Sequence, residues 1–493
     1  MELRVRIGKW SAGLPVVMLR KETAEELGVH AKQRLSIKTS TKKPKEISAI
    51  LDIVETVVKE KQLVVSKEVK DRLNLKSGDK VDVSISSPPT SLRLIKEKLN
   101  GKILSRKKIK KIIQDIVDNN LSEPEVALFV SAVYQKGMNF KETISLIKSI
   151  LDSGQTLGLK KKIIVDKHSI GGIPGNRTTP IVVAICAAAG LTFPKTSSRA
   201  ITSAAGTADT IETIAKVDFS AEKLREIIKK TNACLAWGGA LGMVPADSKI
   251  ISVEKSLRID SEPQLLASII SKKLAVGSNY LVVDIPYGKY AKVSKQKAEH
   301  LKLKFEKIAK YFKIKIKVVL TKGNQPIGNG IGPALEIKDV LAVLNPKKQG
   351  PRDLEGKSLF LAGEIFELTK RAKPKKGYAM AKKILDSGDA YKKFREIIHA
   401  QKGHINHLRE AKYKKDIRVR KSGKLKEINN KEINQLARVA GCPLDKFAGV
   451  YLHKHTGDLV RKGEKVMTIY AESRARLNQA LKYYEKERPL KCG

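Results

Sequence analysis

The sequence predicts a multidomain α/β protein: a β-barrel-like N-terminal domain, a small α-helical domain, a large α/β domain with a mostly parallel central sheet, and a C-terminal α+β domain. Three observations carry this expectation. A strand–helix–strand pattern occurs twice before residue 88, the apolar period turns helical from Leu92 to Ser153, and short apolar runs then alternate with helical stretches. A chain of 493 residues with 41 % hydrophobic content outgrows a single core and divides into roughly three to four domains.

The first domain, 1–87, rests on the repeat. Lys21-Glu22 and Lys67-Glu68 match at a spacing of 46 residues, as do Leu27 with Leu73, Val29 with Leu75, Leu35 with Val81 and Ile37 with Val83. Each copy reads as a strand, a short helix (Glu22 to Leu27, Glu68 to Leu73) and a strand entered through a polar turn. Lys76-Ser77-Gly78-Asp79-Lys80 has suitable turn chemistry. Two copies are too few for a solenoid; interleaved, they make a small barrel of the double-psi type. Pro88-Pro89 marks the linker that follows.

The helical domain spans 88–160. Ile109, Ile112, Ile113, Ile116 and Val117 form one buried stripe behind Ser105 as N-cap. Ser122 and Glu125 have the spacing of a capping box that opens a helix carrying Val126, Phe129, Val130 and Val133, and a third helix covers Phe140 to Leu151. In the α/β domain, 161–423, the apolar runs Ile163–Val165, Tyr280–Val283 and Ile314–Val319 alternate with helices Thr179–Ala189, Ser261–Leu274 and Ser294–Phe312, the signature of a parallel sheet. The C-terminal domain, 424–493, sets turn signals at Gly457-Asp458 and Lys462-Gly463-Glu464 between short β segments, flanked by helices Lys431–Val439 and Ser473–Tyr484.

Composition excludes several classes. Cys186, Cys234, Cys442 and Cys492 are scattered with no CxxC pair, which argues against a disulfide framework or zinc site and makes a reducing cytoplasm the natural setting. The charged start, with Glu2, Arg4, Arg6 and Lys9, has no apolar segment of a signal peptide, and no window is long and apolar enough for a membrane span. A net charge of +46 suits a polyanion partner. Its dispersal among acidic residues, with aromatics at only 5 %, reads instead as a lysine-rich surface and argues against nucleic acid. His404 with His407 and His453 with His455 lack any accompanying cysteine or carboxylate cluster, so they read as exposed surface and no metal is expected.

Chemistry concentrates between residues 166 and 207. Asp166-Lys167-His168-Ser169-Ile170-Gly171-Gly172 follows the apolar strand Lys162–Val165 and precedes the helix Thr179–Ala189, the position where open α/β sheets bind ligands. Glycine lets backbone N–H groups approach an anion, and the next helix N-terminus favours negative charge. A flexible βα turn would need the same glycines. The second cluster, Thr196 to Ser203 followed by Gly206-Thr207-Ala208-Asp209, adds six hydroxyls and Arg199 within twelve residues. These are donors suited to phosphate oxygens, although a solvated helix-capping loop has similar composition. Gly328-Asn329-Gly330-Ile331-Gly332 does not have dinucleotide-loop spacing, and no Walker A pattern occurs.

Asp166–Gly172, Gly175-Asn176-Arg177-Thr178-Thr179-Pro180, Ser198–Ser203 and Ser268-Ile269-Ile270-Ser271-Lys272-Lys273-Leu274 resemble the pyrimidine-nucleoside and thymidine phosphorylases. With the N-terminal barrel, they are most similar to the archaeal AMP phosphorylase branch, over about residues 1–480. The resemblance implies phosphorolysis of nucleoside 5′-monophosphates, AMP and phosphate giving adenine and ribose 1,5-bisphosphate, with CMP and UMP as further substrates. It implies a nucleotide pocket from Gly172, Ser198, Arg199, Ala200, Ile201, Thr202, Ser203, Thr207, Ser268 and Lys292, and an inorganic-phosphate site from Lys167, Ser169, Ser197 and Thr207. Asp260 matches the proton donor; His168, Arg258 and Lys272 match sugar- and base-side positions. Part of 250–275 then joins the helical domain in space. No cofactor is implied; a homodimer is, with larger assemblies formed through the C-terminal region. Two other readings stand beside it: a thymidine or uridine phosphorylase acting on unphosphorylated nucleosides, and a non-catalytic polyanion-binding protein.

Overall fold

The computed structural model describes residues 1–201, 203–239, 242–405 and 408–493. Two compact units make up the chain: Met1–Ser149 with Ala246–Gln264, and Ile150–Pro245 with Leu265–Gly493.

The first unit opens with β1 (Glu2–Ile7), β2 (Val16–Arg20), α1 (Lys21–Leu27), β3 (Arg34–Thr39), β4 (Glu46–Val54), β5 (Gln62–Val65), α2 (Lys67–Leu73) and β6 (Lys80–Ile85). Its strands close into a barrel in the order β1-β5-β2-β4-β3-β6. The repeat explains that order. The first strand of each copy pairs in parallel with the second strand of the other, β1 with β5 and β4 with β2. The third strands pair antiparallel, with Ile37 opposite Val83, the very residues matched in the repeat. Alternate residues such as Leu3, Val5, Leu35, Ile37, Val81 and Val83 point inward and are buried.

Helices α3 (Thr90–Leu99), α4 (Arg106–Val117), α5 (Glu123–Lys136) and α6 (Phe140–Asp152) follow. Ser105 stands at the N-cap of α4, but its side chain makes no capping hydrogen bond. The capping box of α5 is present, the Ser122 N–H donating to Glu125 at 2.7 Å. Glu125 also receives both Nη atoms of Arg34, at 3.1 and 2.5 Å, which ties the bundle to the barrel.

The second unit contains β7 (Val165–Ser169), α7 (Thr178–Ala188), β8 (Phe193–Ser197), α8 (Thr207–Ile211), α9 (Ala221–Thr231) and β9 (Ala233–Trp237). The chain then gives α10 (Pro245–Leu257) and the first residues of α11 (Glu262–Val276) to the first unit. It continues with β10 (Tyr280–Tyr287), α12 (Lys295–Tyr311), β11 (Lys315–Lys322), β12 (Gly330–Ile331), α13 (Pro333–Leu344), α14 (Arg352–Leu368), α15 (Gly377–Asp386) and α16 (Asp389–Ala400). Strands β11, β10 and β7 are parallel, and β8 is parallel to β9. A bridge from Ile164 to Thr192 sets β8 alongside β7. Helix α7, apolar beyond Thr178 and Thr179 at its start, is buried through Ala187 in this core, as a helix without a polar face must be.

The remaining elements are β13 (Tyr413–Arg418), β14 (Gly423–Ile428), α17 (Asn430–Ala440), β15 (Gly449–Leu452), β16 (Leu459–Val460), β17 (Lys465–Ala471), α18 (Arg474–Glu487) and β18 (Leu490–Cys492). Antiparallel pairing joins β13, β17, β15 and β12 in one sheet, and β16, β14 and β18 in another. The sheet therefore draws in β13, upstream of residue 424, and β12 from the glycine-rich segment. Among the described residues no helix is long and apolar enough to cross a membrane.

Candidate active site

The strand expected over Lys162–Val165 runs instead over Val165–Ser169, so Lys167, His168 and Ser169 lie in β7 rather than in a loop. A parallel strand covered on both faces is normally apolar throughout. This one admits charge because each charged side chain meets a buried polar or charged partner. Asp166, fully buried, receives the ammonium of Lys195 in β8 at 3.2 Å and that of Lys273 in α11 at 2.8 Å. On the other face, the Lys167 ammonium donates to Thr178 Oγ1 at 2.8 Å. Asp284 in β10 accepts from Thr321 at 2.6 Å and pairs with Lys357 of α14 at 2.9 Å. Hydropathy alone cannot reveal such a strand.

Four lysines (167, 195, 273 and 357) thus stand against two aspartates (166 and 284) near the carboxyl ends of adjacent strands. Burial pushes Lys167 down to about 7, opposed by the Asp284 charge, and drives Lys273 down to about 7 against the pull of Asp166. For Asp284, burial works to raise the pKa, but Lys357 and Lys167 outweigh it and hold the carboxyl below its usual range. Burial and the charges of Lys273, Lys195, Lys272 and Lys167 push His168 well below the ordinary imidazole value, so its ring is neutral near pH 7. At the ends of β7 and β8 the hydroxyls of Ser169 and Ser197 are buried with no hydrogen-bond partner among the described residues. Buried hydroxyls are nearly always paired, so an unpaired couple beside excess cationic charge is suited to an anion's oxygens.

The loop from Ser198 to Gly206 is built by close approach. A Cβ on Gly206 would come within 2.5 Å of the Ser198 carbonyl oxygen and the Arg199 carbonyl carbon. The N–H groups of Ala200 and Gly206 both donate to Asp209 Oδ2, at 2.7 and 2.8 Å. Ser203 Oγ donates to the Ala205 carbonyl at 2.6 Å. From α17, Asn434 accepts the Ala204 N–H at 2.9 Å, and Arg438 donates to the carbonyls of Ile201 at 2.9 Å and Ser203 at 3.1 Å. Arg199 lies 4.7 Å from the Trp237 ring centre and grips Glu212 with both Nη atoms, at 2.7 and 2.8 Å. Arg199 foremost holds the Glu212 carboxyl down to about 2. This guanidinium therefore braces the loop against α8. Thr202 lies outside the described residues.

Arg177, at the N-cap of α7, connects the two hydroxyl-bearing segments. Its guanidinium donates to Thr207 Oγ1 at 2.8 Å, to the Ala205 carbonyl at 2.8 Å and to Glu336 at 2.6 Å. Gly172 has φ +92°, which favours glycine, and a Cβ there would sit 3.1 Å from that of Lys292. Gly172 and Lys292, 120 positions apart in sequence, are thereby neighbours. On α11, Lys272 donates to Ser268 at 3.0 Å, and its charge acts on His168. Arg258, in a left-handed conformation at φ +54°, and Asp260 are exposed and belong to the first unit.

Sequence reasoning missed Lys195, Asp284 and Lys357 as parts of this arrangement, and it noted Asp166, Lys273, Arg177 and Thr178 only within motifs. The histidine pair at 453 and 455 needs correction. Neither is exposed surface: His453 bonds Thr468 at 2.9 Å, and His455 bonds Asn329 at 2.9 Å, both partly buried. His407 lies outside the described residues. The glycine-rich segment before α13 wraps a carboxylate, the N–H groups of Asn329 and Gly330 both donating to Asp339 at 2.7 Å.

Residues 161–391 match the a/b domain of a glycosyl transferase family, residues 92–154 its helical bundle domain, and residues 424–491 the pyrimidine nucleoside phosphorylase C-terminal domain. An AMP phosphorylase of Methanococcus aeolicus is 41 % identical over 96 % of this chain and 94 % of its own. AMP phosphorylase 1 of Archaeoglobus fulgidus is 39 % identical over 98 % and 95 %. A putative thymidine phosphorylase of Legionella pneumophila is 43 % identical over 83 % and 79 %. In fold, an anthranilate phosphoribosyltransferase from Thermus thermophilus superposes with a TM-score of 0.52 at 17 % identity, over 63 % of this chain and 99 % of its own. The chain belongs to the glycosyl transferase family that holds the AMP and thymidine phosphorylases, and it is related over nearly its whole length to the AMP phosphorylases.

Proposed function

We propose that this protein phosphorolyses nucleoside 5′-monophosphates, converting AMP and phosphate to adenine and α-D-ribose 1,5-bisphosphate, with CMP and UMP as further substrates. The observation that carries the reading is the pair of unpartnered buried hydroxyls, Ser169 and Ser197, beside Lys167 at the ends of adjacent parallel strands. A tetrahedral anion supplies the acceptors they lack.

In this scheme Lys167, Ser169, Ser197 and Thr207 hold the attacking phosphate. A phosphate oxygen forms the bond to C1′ as the C1′–N bond breaks, its electron pair leaving with the base. Asp260 is the proton donor to the departing base nitrogen. Ser268, Lys272, Arg258 and the neutral ring of His168 fix the base and sugar. The nucleotide's own phosphate lies against Lys292, Gly172 and the Ser198–Ser203 loop, with Arg199 bracing that loop. The scheme draws on no metal or cofactor. A homodimer with larger assemblies, a cytoplasmic setting, a double-psi class for the barrel and an α+β class for the C-terminal domain complete the reading.

Incubation with phosphate and AMP, CMP, UMP, thymidine or uridine, followed by detection of free base, tests it. Release from AMP and not from thymidine is expected. Release from unphosphorylated nucleosides alone sinks the nucleotide reading, and salt-sensitive RNA binding without any release would favour the polyanion one. Lys292→Ala should raise KM for AMP roughly 10- to 100-fold, the loss of one charge-assisted contact, with adenosine turnover unchanged. Equal losses on AMP and adenosine remove Lys292 from the 5′-phosphate site.

A further inference from the structure

Lys167 and Asp284 point to the same face of the sheet: Lys167 is in register with Val282, and Asp284 follows two residues on. Asp284 is not left to approach Lys167 alone. Thr321 donates to its Oδ1 at 2.6 Å, and Lys357 pairs with it at 2.9 Å while also donating to Thr321 at 3.1 Å. Asp284 is fully buried and Lys357 nearly so, far from any surface role. Lys357 thus pairs directly with this carboxylate, and Lys167, of the proposed phosphate site, lies on the same sheet face beside it, one strand over and two positions along from the register partner of Asp284.

From this arrangement we infer that Asp284 and Lys357 are positioning residues that set the charge of Lys167, the carboxylate holding it as an ammonium and the second lysine limiting that hold. The inference rests on the phosphate-site reading given above. Lys167 must be cationic to bind phosphate through its charge, and burial works against the cation. Around it, Asp284 of β10 favours the ammonium, whereas Lys357 of α14, Lys195 of β8 and Arg177 at the start of α7 disfavour it. His168, next along β7, is neutral near pH 7 and adds no opposing charge. Lys167 then titrates close to physiological pH, and phosphate capture weakens as pH rises through that range.

The sign of each substitution follows. Asp284→Asn removes the favourable anion, so Lys167 loses its proton at lower pH. Lys357→Met removes an opposing cation and leaves Asp284 to Lys167 alone, so the proton is lost at higher pH. The experiment is kcat/KM for phosphate against pH at saturating AMP, for the full-length wild type and both variants. The alkaline limb should move down by roughly one pH unit in Asp284→Asn and up by roughly one in Lys357→Met. Phosphate's own ionisation is common to all three proteins and cancels. Opposite shifts are the diagnostic, because a pair that merely supports the fold would lower activity at every pH and leave both limbs in place. Limbs that stay put or move together overturn the inference. If Asp284→Asn shows no cooperative melt, Lys357→Met decides alone: an upward limb supports, an unmoved or lowered one refutes. Should the wild type release no base from AMP, calorimetric phosphate binding over the same pH series replaces the rate. A wild type that neither turns over nor binds phosphate brings down the phosphate-site reading itself, an outcome separate from variants that fail to shift.

Discussion

Asp260→Asn should lower kcat with AMP by about 10²- to 10⁴-fold while leaving nucleotide binding within a few-fold of wild type. Breaking the C1′–N bond puts negative charge on a purine, a poor leaving group unless it is protonated or strongly hydrogen-bonded as it departs. Asparagine keeps the volume and a hydrogen-bond donor but has no acidic proton to give. Steady-state kinetics in AMP and phosphate, together with equilibrium binding of AMP, separate the two effects. The loss should shrink for a nucleotide whose base already leaves as a stable anion. An unchanged kcat takes Asp260 out of the mechanism, and a loss confined to binding makes it a contact residue only.

The largest effect on stability should come from Asp166→Ala. This carboxylate is fully buried between the ammonium groups of Lys195 at 3.2 Å and Lys273 at 2.8 Å. Removing it leaves two buried lysines without their shared counter-ion, a loss of about 3–5 kcal/mol for a broken buried pair. For a unit of this size the melting midpoint should fall by roughly 6–15 °C. Lys273, already driven to about 7, would then shed its proton at still lower pH. An unfolded lysine holds its proton up to about 10.4. Between those values the unfolded chain binds more protons, so the variant should regain stability as pH rises. Thermal melts at pH 6 and pH 9 check both points. A midpoint within 2 °C of wild type, or one that falls further at pH 9, would show that Asp166 is not holding these charges.

Where a local rule governs, the fold was legible. The 46-residue match of the barrel copies reflects real pairing, since Ile37 lies opposite Val83. The Ser122–Glu125 capping box and the i, i+3, i+4 stripe of α4 depend only on neighbours along the chain. The site was legible in part. Its hydroxyls and glycines cluster in sequence, but the charges beneath them do not. Asp166 meets Lys273, and Asp284 meets Lys357, only because separate strands and helices pack together. For the same reason Lys167 read as a loop residue. A lysine within an apolar strand looks misplaced until its buried partners are known. The histidines at 453 and 455 failed likewise, because their partners Thr468 and Asn329 are supplied by folding.

The clasp of α17 on the serine-rich loop bears on inheritance. Asn434 and Arg438 satisfy backbone groups of Ala204, Ile201 and Ser203, so the loop's shape is encoded partly in a segment more than two hundred residues downstream. The last domain is then no detachable appendage. A recombination event that exchanged it for a foreign copy would have to carry matching side chains at both positions, or the recipient's loop would lose its hydrogen-bonding frame. Sequence drift in α17 and in the loop is expected to proceed together, and grafting the central α/β domain alone onto another scaffold should transfer the sheet without the loop's conformation.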